Sequence, residues 1–120
     1  MENNLLTIED GVLMSCNDKT VKSVEIPDSV TKIGNSAFSN CELLEEIKIP
    51  ESVTEIGNYV FSNCESLKKI IISNGVTKIG IGVFVYCKSL NHIEIPSRIC
   101  DTIIKNYFDV YNPNCKIDMK

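Results

Sequence analysis

The sequence predicts an α/β repeat solenoid in which short coils stack and each gives one strand to a parallel sheet. Three observations predict it. The chain matches itself when offset by 23 residues, aligning residues 24–46 (VEIPDSVTKIGNSAFSNCELLEE), 47–69 (IKIPESVTEIGNYVFSNCESLKK) and 70–92 (IIISNGVTKIGIGVFVYCKSLNH) as three full units. The positions held in all three are almost wholly apolar or glycine: Val30/Val53/Val76, Ile33/Ile56/Ile79, Gly34/Gly57/Gly80, Phe38/Phe61/Phe84, Cys41/Cys64/Cys87 and Leu44/Leu67/Leu90, with Thr31/Thr54/Thr77 the polar exception. Each unit also opens on an in-out-in triplet, Val24-Glu25-Ile26, Ile47-Lys48-Ile49 and Ile70-Ile71-Ile72, and Ile93-Glu94-Ile95 opens a fourth. A coil of this length cannot bury its own apolar face and does so only against a like coil, so every fixed apolar position becomes a ladder through the core.

The N-terminal segment, residues 1–23, reads as a cap. Asp10-Gly11 stands between two short apolar arms, Thr7-Ile8-Glu9 and Val12-Leu13-Met14, and an Asp-Gly pair in that setting is a strong two-residue hairpin signal. The triplets that open the units are strands by their period of two, so Val24 to Ile26 is expected to be the first strand of the sheet. Pro27, Pro50 and Pro96 follow three of them and end the pairing, since proline has no N–H to give. Within a unit, Val53 to Gly57 reads as a second extended piece turning at the glycine, and Asn58 to Cys64 as a short helical or 3₁₀ turn. Residues 93–120 form a partial repeat and C-terminal cap. There Ile99, Cys100, Ile103, Ile104, Tyr107 and Phe108 carry the stripe of an amphipathic helix. Ile117-Asp118-Met119 then repeats the in-out-in pattern as a final, fifth strand.

Length and composition bound what such a chain does. At 120 residues and 43% hydrophobic it reads as one domain, residues 1–120, with enough buried surface to need no metal or disulfide. A net charge of −4 gives no basic field for phosphates, which argues against nucleic acid as a partner. No stretch of 18 apolar residues occurs, so membrane insertion is not expected. Acids rather than bases open the chain, unlike an export signal. The domain is therefore expected at a cell surface or secreted if it is excised from a longer exported protein, and in the cytoplasm otherwise.

The recurring pattern I-x-I-P-x-S-V-T-x-I-G-N-x-x-F-S-N-C-x-x-L resembles the BspA-like class of leucine-rich repeats, strongly over residues 24–96, and Asp10-Gly11-Val12-Leu13 looks like that family's cap. The resemblance implies a right-handed coil with the parallel sheet on its concave face. It also implies a non-catalytic interaction protein, since members of this class are often surface adhesins or host-contact proteins of bacteria and parasitic protists. The chain departs from the pattern at Ser73-Asn74-Gly75, Ile81-Gly82 and Val85-Tyr86, all in the third unit.

The residues that could carry chemistry read as structural. Cys41, Cys64 and Cys87 would stack about 5 Å apart, yet their side chains run parallel and three cannot all pair, so they are expected to be buried, reduced thiols. Cys16, Cys100 and Cys115 lie in the caps, where Cys100 and Cys115 could bridge under oxidising conditions. No Cys-x₂₋₄-Cys pair exists to start a zinc site, and no metal or cofactor is expected. His92, the single histidine, is expected to face solvent, away from the thiols, so no catalytic residue is assigned. Glu45-Glu46 is an exposed pair, and Gly80-Ile81-Gly82 lacks the third glycine of a dinucleotide loop.

The outward positions of the strands remain. They form two columns: Glu25, Lys48, Ile71, Glu94 and Asp118, and beside it Ser23, Glu46, Lys69, His92 and Lys116. Opposite charges meet at Glu25/Lys48 and Glu46/Lys69, where ion pairs are expected. Ile71 is an apolar residue amid charges and is the expected anchor for a protein or glycan partner, with Lys48, Glu94, Glu46, Lys69 and His92 around it. The domain is expected to act as a monomer; the alternative is a structural spacer or intracellular scaffold with no dedicated ligand site.

Overall fold

The computed structural model describes residues 5–99 and 115–119. Its strands are β1 (Leu6–Glu9), β2 (Val12–Cys16), β3 (Lys32–Ile33), β4 (Glu46–Ile49), β5 (Glu55–Ile56), β6 (Lys69–Ile72), β7 (Lys78–Ile79), β8 (His92–Ile95) and β9 (Lys116–Met119). They form two sheets. One runs β4-β6-β8-β9, all parallel, and the other β1-β2-β3-β5-β7, parallel except for the β1–β2 hairpin. The chain is thus a β-solenoid of about four turns. The described residues are mostly strand and turn, with helical backbone only at residues 97–99.

The hairpin forms as its Asp-Gly pair requires: Asp10 (φ 52°) and Gly11 (φ 79°) both take the left-handed conformation of a tight primed turn. Its second arm docks on the two-residue strands, Leu13 opposite Ile33, so the cap closes the second sheet and not the four-stranded one. Val24 to Ile26 accordingly does not form the expected first strand. Among the described residues its backbone joins β4 only through a bridge from Ser23 to Glu46. The side chains still follow the in-out pattern: Ile26 is buried and Glu25 exposed. The amphipathic helix expected from Ile99 to Phe108 lies outside the described residues apart from its first, Ile99, which is buried.

Like residues stack on like in the core. Phe38, Phe61 and Phe84 are buried with rings nearly parallel, 5.5 and 6.1 Å between centroids. The valine, isoleucine, leucine and cysteine ladders are buried beside them. The threonine ladder has a different cause. Thr54 N donates to Thr31 O and Thr77 N to Thr54 O, both at 2.9 Å, and each hydroxyl reaches the same carbonyl at 3.3 and 3.4 Å. The glycine ladder is steric: a Cβ on Gly80 would lie 2.2 Å from Asn58 Oδ1 and 2.7 Å from the Gly57 carbonyl of the coil before.

The helical or 3₁₀ turn expected at Asn58 to Cys64 is instead a chain of turns with no helix. Left-handed residues recur at the repeat interval, at Ser36, Tyr59 and Gly82 and again at Asn40, Asn63 and Tyr86. Between them alternate N–H groups point along the solenoid axis. Ser36, Phe38 and Asn40 donate to the carbonyls of Asn58, Val60 and Ser62, and Tyr59, Phe61 and Asn63 to those of Ile81, Val83 and Val85, all at 2.9 Å. Hydrogen bonding between coils thus adds to isolated i→i+3 bonds within each, such as Ser39 N to Ser36 O at 3.0 Å and Cys64 N to Phe61 O at 3.2 Å.

Candidate functional site

The four-stranded sheet carries its outward side chains in the two expected columns. Lys48, Ile71, Glu94 and Asp118 are paired in register from strand to strand, and so are Glu46, Lys69, His92 and Lys116. Pleating sends the alternate residues, Ile47, Ile49, Ile70, Ile72, Ile93 and Ile95, into the core and thereby fixes which face these columns occupy. Ile71 is half-buried between its neighbours. It lines a shallow hollow of about 220 Å³ with Lys48, Glu51, Ser73, Asn74 and Glu94. A second hollow of about 260 Å³ lies across Lys48, lined by Val24, Glu25, Ile26, Asp28, Lys48 and Pro50. Ser73 and Asn74 are part of the third unit's departure from the repeat.

The charges pair differently from the sequence expectation. Glu46 and Lys69 are opposite each other, yet the ion pairs among the described residues are Lys32–Glu55 at 3.5 Å and His92–Asp118 at 2.6 Å. An exposed lysine–glutamate pair gains little by closing, so whether one forms, as Lys32–Glu55 does and Glu46–Lys69 does not, matters little to stability. The imidazole, by contrast, is stiff and already half-buried. His92 is therefore not simply solvated: its Nε2 meets Asp118 Oδ2 on the last strand, diagonally across the register. The His92 hydrogen bond, aided by Lys116 and Lys69, holds the Asp118 carboxyl below its ordinary range. The sequence placed both residues on this face, but column-by-column pairing missed the diagonal contact.

The repeat cysteines lie in the core. Cys41, Cys64 and Cys87 are buried, and the Cys64 and Cys87 thiols donate to the carbonyls of Phe38 and Phe61 at 3.1 and 3.0 Å. Desolvation pushes the Cys41 and Cys87 thiols up to about 12, and Cys64 upward as well. Cys16 is buried in β2 and adds a fourth member beside Cys41, one the 23-residue spacing does not reveal. These thiols and His92 are not brought together. Cys100, the expected bridging partner of Cys115, lies outside the described residues.

Exposed large apolar side chains occur on the turn side as well as at Met119 on β9. Tyr59, Ile81 and Tyr86 on the turn side are 45–53% exposed, and the Tyr59 N–H donates to the Ile81 carbonyl. Ile81 and Tyr86 replace the asparagines of the earlier units, so the substitutions were visible in the sequence although their exposure was not. No helix among the described residues is long and apolar enough to cross a membrane.

Comparisons with known proteins agree with this architecture. A family model described as BspA type leucine rich repeat region (6 copies) matches residues 1–117. No curated protein matches. Among solved structures, a leucine-rich repeat protein from Bacteroides ovatus is 32% identical with a TM-score of 0.68, over 78% of this chain and 23% of that one. A T. pallidum leucine rich repeat protein is 39% identical with a TM-score of 0.58, over 60% and 34%. A leucine rich cell surface protein from Faecalibacterium prausnitzii is 26% identical with a TM-score of 0.57, over 91% and 35%. The chain thus corresponds to about a quarter to a third of the solved chains it matches.

Proposed function

The chain belongs to the BspA-type leucine-rich repeat family, and from that premise we propose that it is a non-catalytic interaction module, acting as a monomer at a cell surface. Repeat domains of this family typically mediate protein interactions or surface roles and are generally non-enzymatic. In this reading the outer face of the four-stranded sheet, the concave face of the coil, meets a protein or glycan partner. The observation that carries it is Ile71, a β-branched side chain set among charges at the edge of a hollow that also holds Lys48 and Glu94. A rigid sheet presents such an anchor at little entropic cost, and the charged rim selects the partner. The cell-surface description of the Faecalibacterium protein supports the adhesin role.

The test is recovery of partners from host-cell surface extracts and glycan arrays by the wild type and by an Ile71→Glu/Lys48→Glu double variant. The proposal expects at least one partner to be lost on substitution. Equal recovery of every partner would dispose of the sheet-face reading and favour a spacer or scaffold role.

A further inference from the structure

We propose that His92, Glu94 and Asp118 form a binding site for a first-row divalent transition cation of the zinc and cobalt class. The site goes beyond the interaction-module reading and does not depend on it. His92 and Glu94 are both on β8 and point to the same face, and Glu94 pairs in register with Asp118 on β9. One ligand atom from each of the three lies within 4.8 Å of the others. All three side chains are half-buried.

A cation held at about 2.0–2.2 Å from each ligand needs ligand atoms about 3–3.5 Å apart. His92 Nε2 and Asp118 Oδ2, now at 2.6 Å, would open slightly, and the pairs farther apart would close onto the cation. The parallel pairing of β8 with β9 fixes the backbones beneath. The cation would take the place of the hydrogen bond between Nε2 and Oδ2.

The donor set selects the cation. Calcium and magnesium call for all-oxygen shells, calcium six to eight ligands and magnesium a near-ideal octahedron, whereas one imidazole with two carboxylates suits zinc, cobalt or nickel. Three protein ligands on an open face leave the remaining positions to water. The charged groups facing the set are Lys69 and Lys116, which flank His92 in register, with Ile71 beside Glu94. Their ammonium groups offset the two carboxylates and hold affinity below that of a closed structural site. Competition from the core thiols is small, because burial raises the cost of the thiolate that a metal requires.

Titration of the full chain with Co²⁺ at neutral pH, followed by calorimetry and visible absorption, tests the site. The expected result is a single equivalent bound, with weak visible bands of nitrogen and oxygen coordination and no near-ultraviolet thiolate band. Glu94→Gln, which leaves the His92–Asp118 contact in place, and Asp118→Asn should each weaken binding at least about tenfold. Glu65→Gln, at an exposed turn away from this face, should leave it unchanged. Melting curves without metal establish that each variant is folded. No saturable binding, undiminished affinity in Glu94→Gln and Asp118→Asn, or a thiolate charge-transfer band would overturn the proposal.

Discussion

On the sheet side of each coil, β4, β6 and β8 repeat one another through ordinary extended backbone, and every ladder bond lies in the sheet. On the turn side the same coils bend through left-handed residues at Ser36, Tyr59 and Gly82 and at Asn40, Asn63 and Tyr86, with N–H groups aimed at the next coil. The sheet side asks only for alternation and tolerates Ile71 where its neighbours carry Lys48 and Glu94. The turn side asks for particular residues, and there substitutions carry a conformational cost. Asn40 and Asn63 suit a positive φ, but Tyr86 at φ 62° does not.

The two sides also end in different places. The hairpin covers the second sheet at its N-terminal end, while the four-stranded sheet begins at a single bridge from Ser23 and runs on to β9. The asparagine ladder that binds successive turns, Asn58 N to Asn35 Oδ1 at 2.8 Å and Ile81 N to Asn58 Oδ1 at 3.0 Å, stops at Ile81, whose side chain has no acceptor to pass on.

Breaking the stack shared by both sides gives the largest expected effect. Phe61→Ala, in the central unit, should cost about 3–5 kcal/mol in denaturant unfolding, and a loss below about 1 kcal/mol would contradict the ladder. Alkali should act on the turn side next. The Cys41 and Cys87 thiols sit near about 12 in the folded chain against about 8.5 when unfolded. Because the folded values are raised, their contribution is complete below about pH 8.5 and is lost as pH climbs toward about 12. Thermal melts across that range read it out.

Gly80→Ala should cost about 1–3 kcal/mol, since the new methyl would meet the Gly57 backbone, which cannot swing aside as a side chain can. Tyr86→Asn should raise stability by about 1 kcal/mol by relieving the left-handed strain, and an unchanged or lowered midpoint would show that the ring offsets it.

The smallest effect lies on the sheet side. The lowered Asp118 carboxyl contributes above the ordinary carboxyl range and loses that contribution as pH falls through its folded value. Amide exchange in β9 should therefore quicken at strongly acidic pH, and more weakly so in His92→Ala.

How much was legible in the sequence follows the same division. A period of 23 residues, an in-out triplet and an Asp-Gly pair are local signals, and they located the parallel sheet, the core ladders, the hairpin and the final strand. The left-handed turns were not legible, because positive φ leaves no hydrophobic period and Ser36, Tyr59 and Tyr86 are not residues that announce it. The loss of a strand at Val24 to Ile26 was hidden for another reason. The triplet is as good as the others, and nothing in its own residues marks it as outside the ladder. Of the candidate face, the two columns and their order could be read. The His92–Asp118 contact could not, since it runs diagonally and depends on side-chain reach.

The stacking of like residues is tested most directly by nuclear Overhauser effects among the three repeat phenylalanines in assigned, ring-labelled protein. Centroid separations of 5.5 and 6.1 Å predict cross-peaks linking Phe38 to Phe61 and Phe61 to Phe84, with none between Phe38 and Phe84. Absence of both adjacent cross-peaks, or a direct one between the outer rings, would contradict the account.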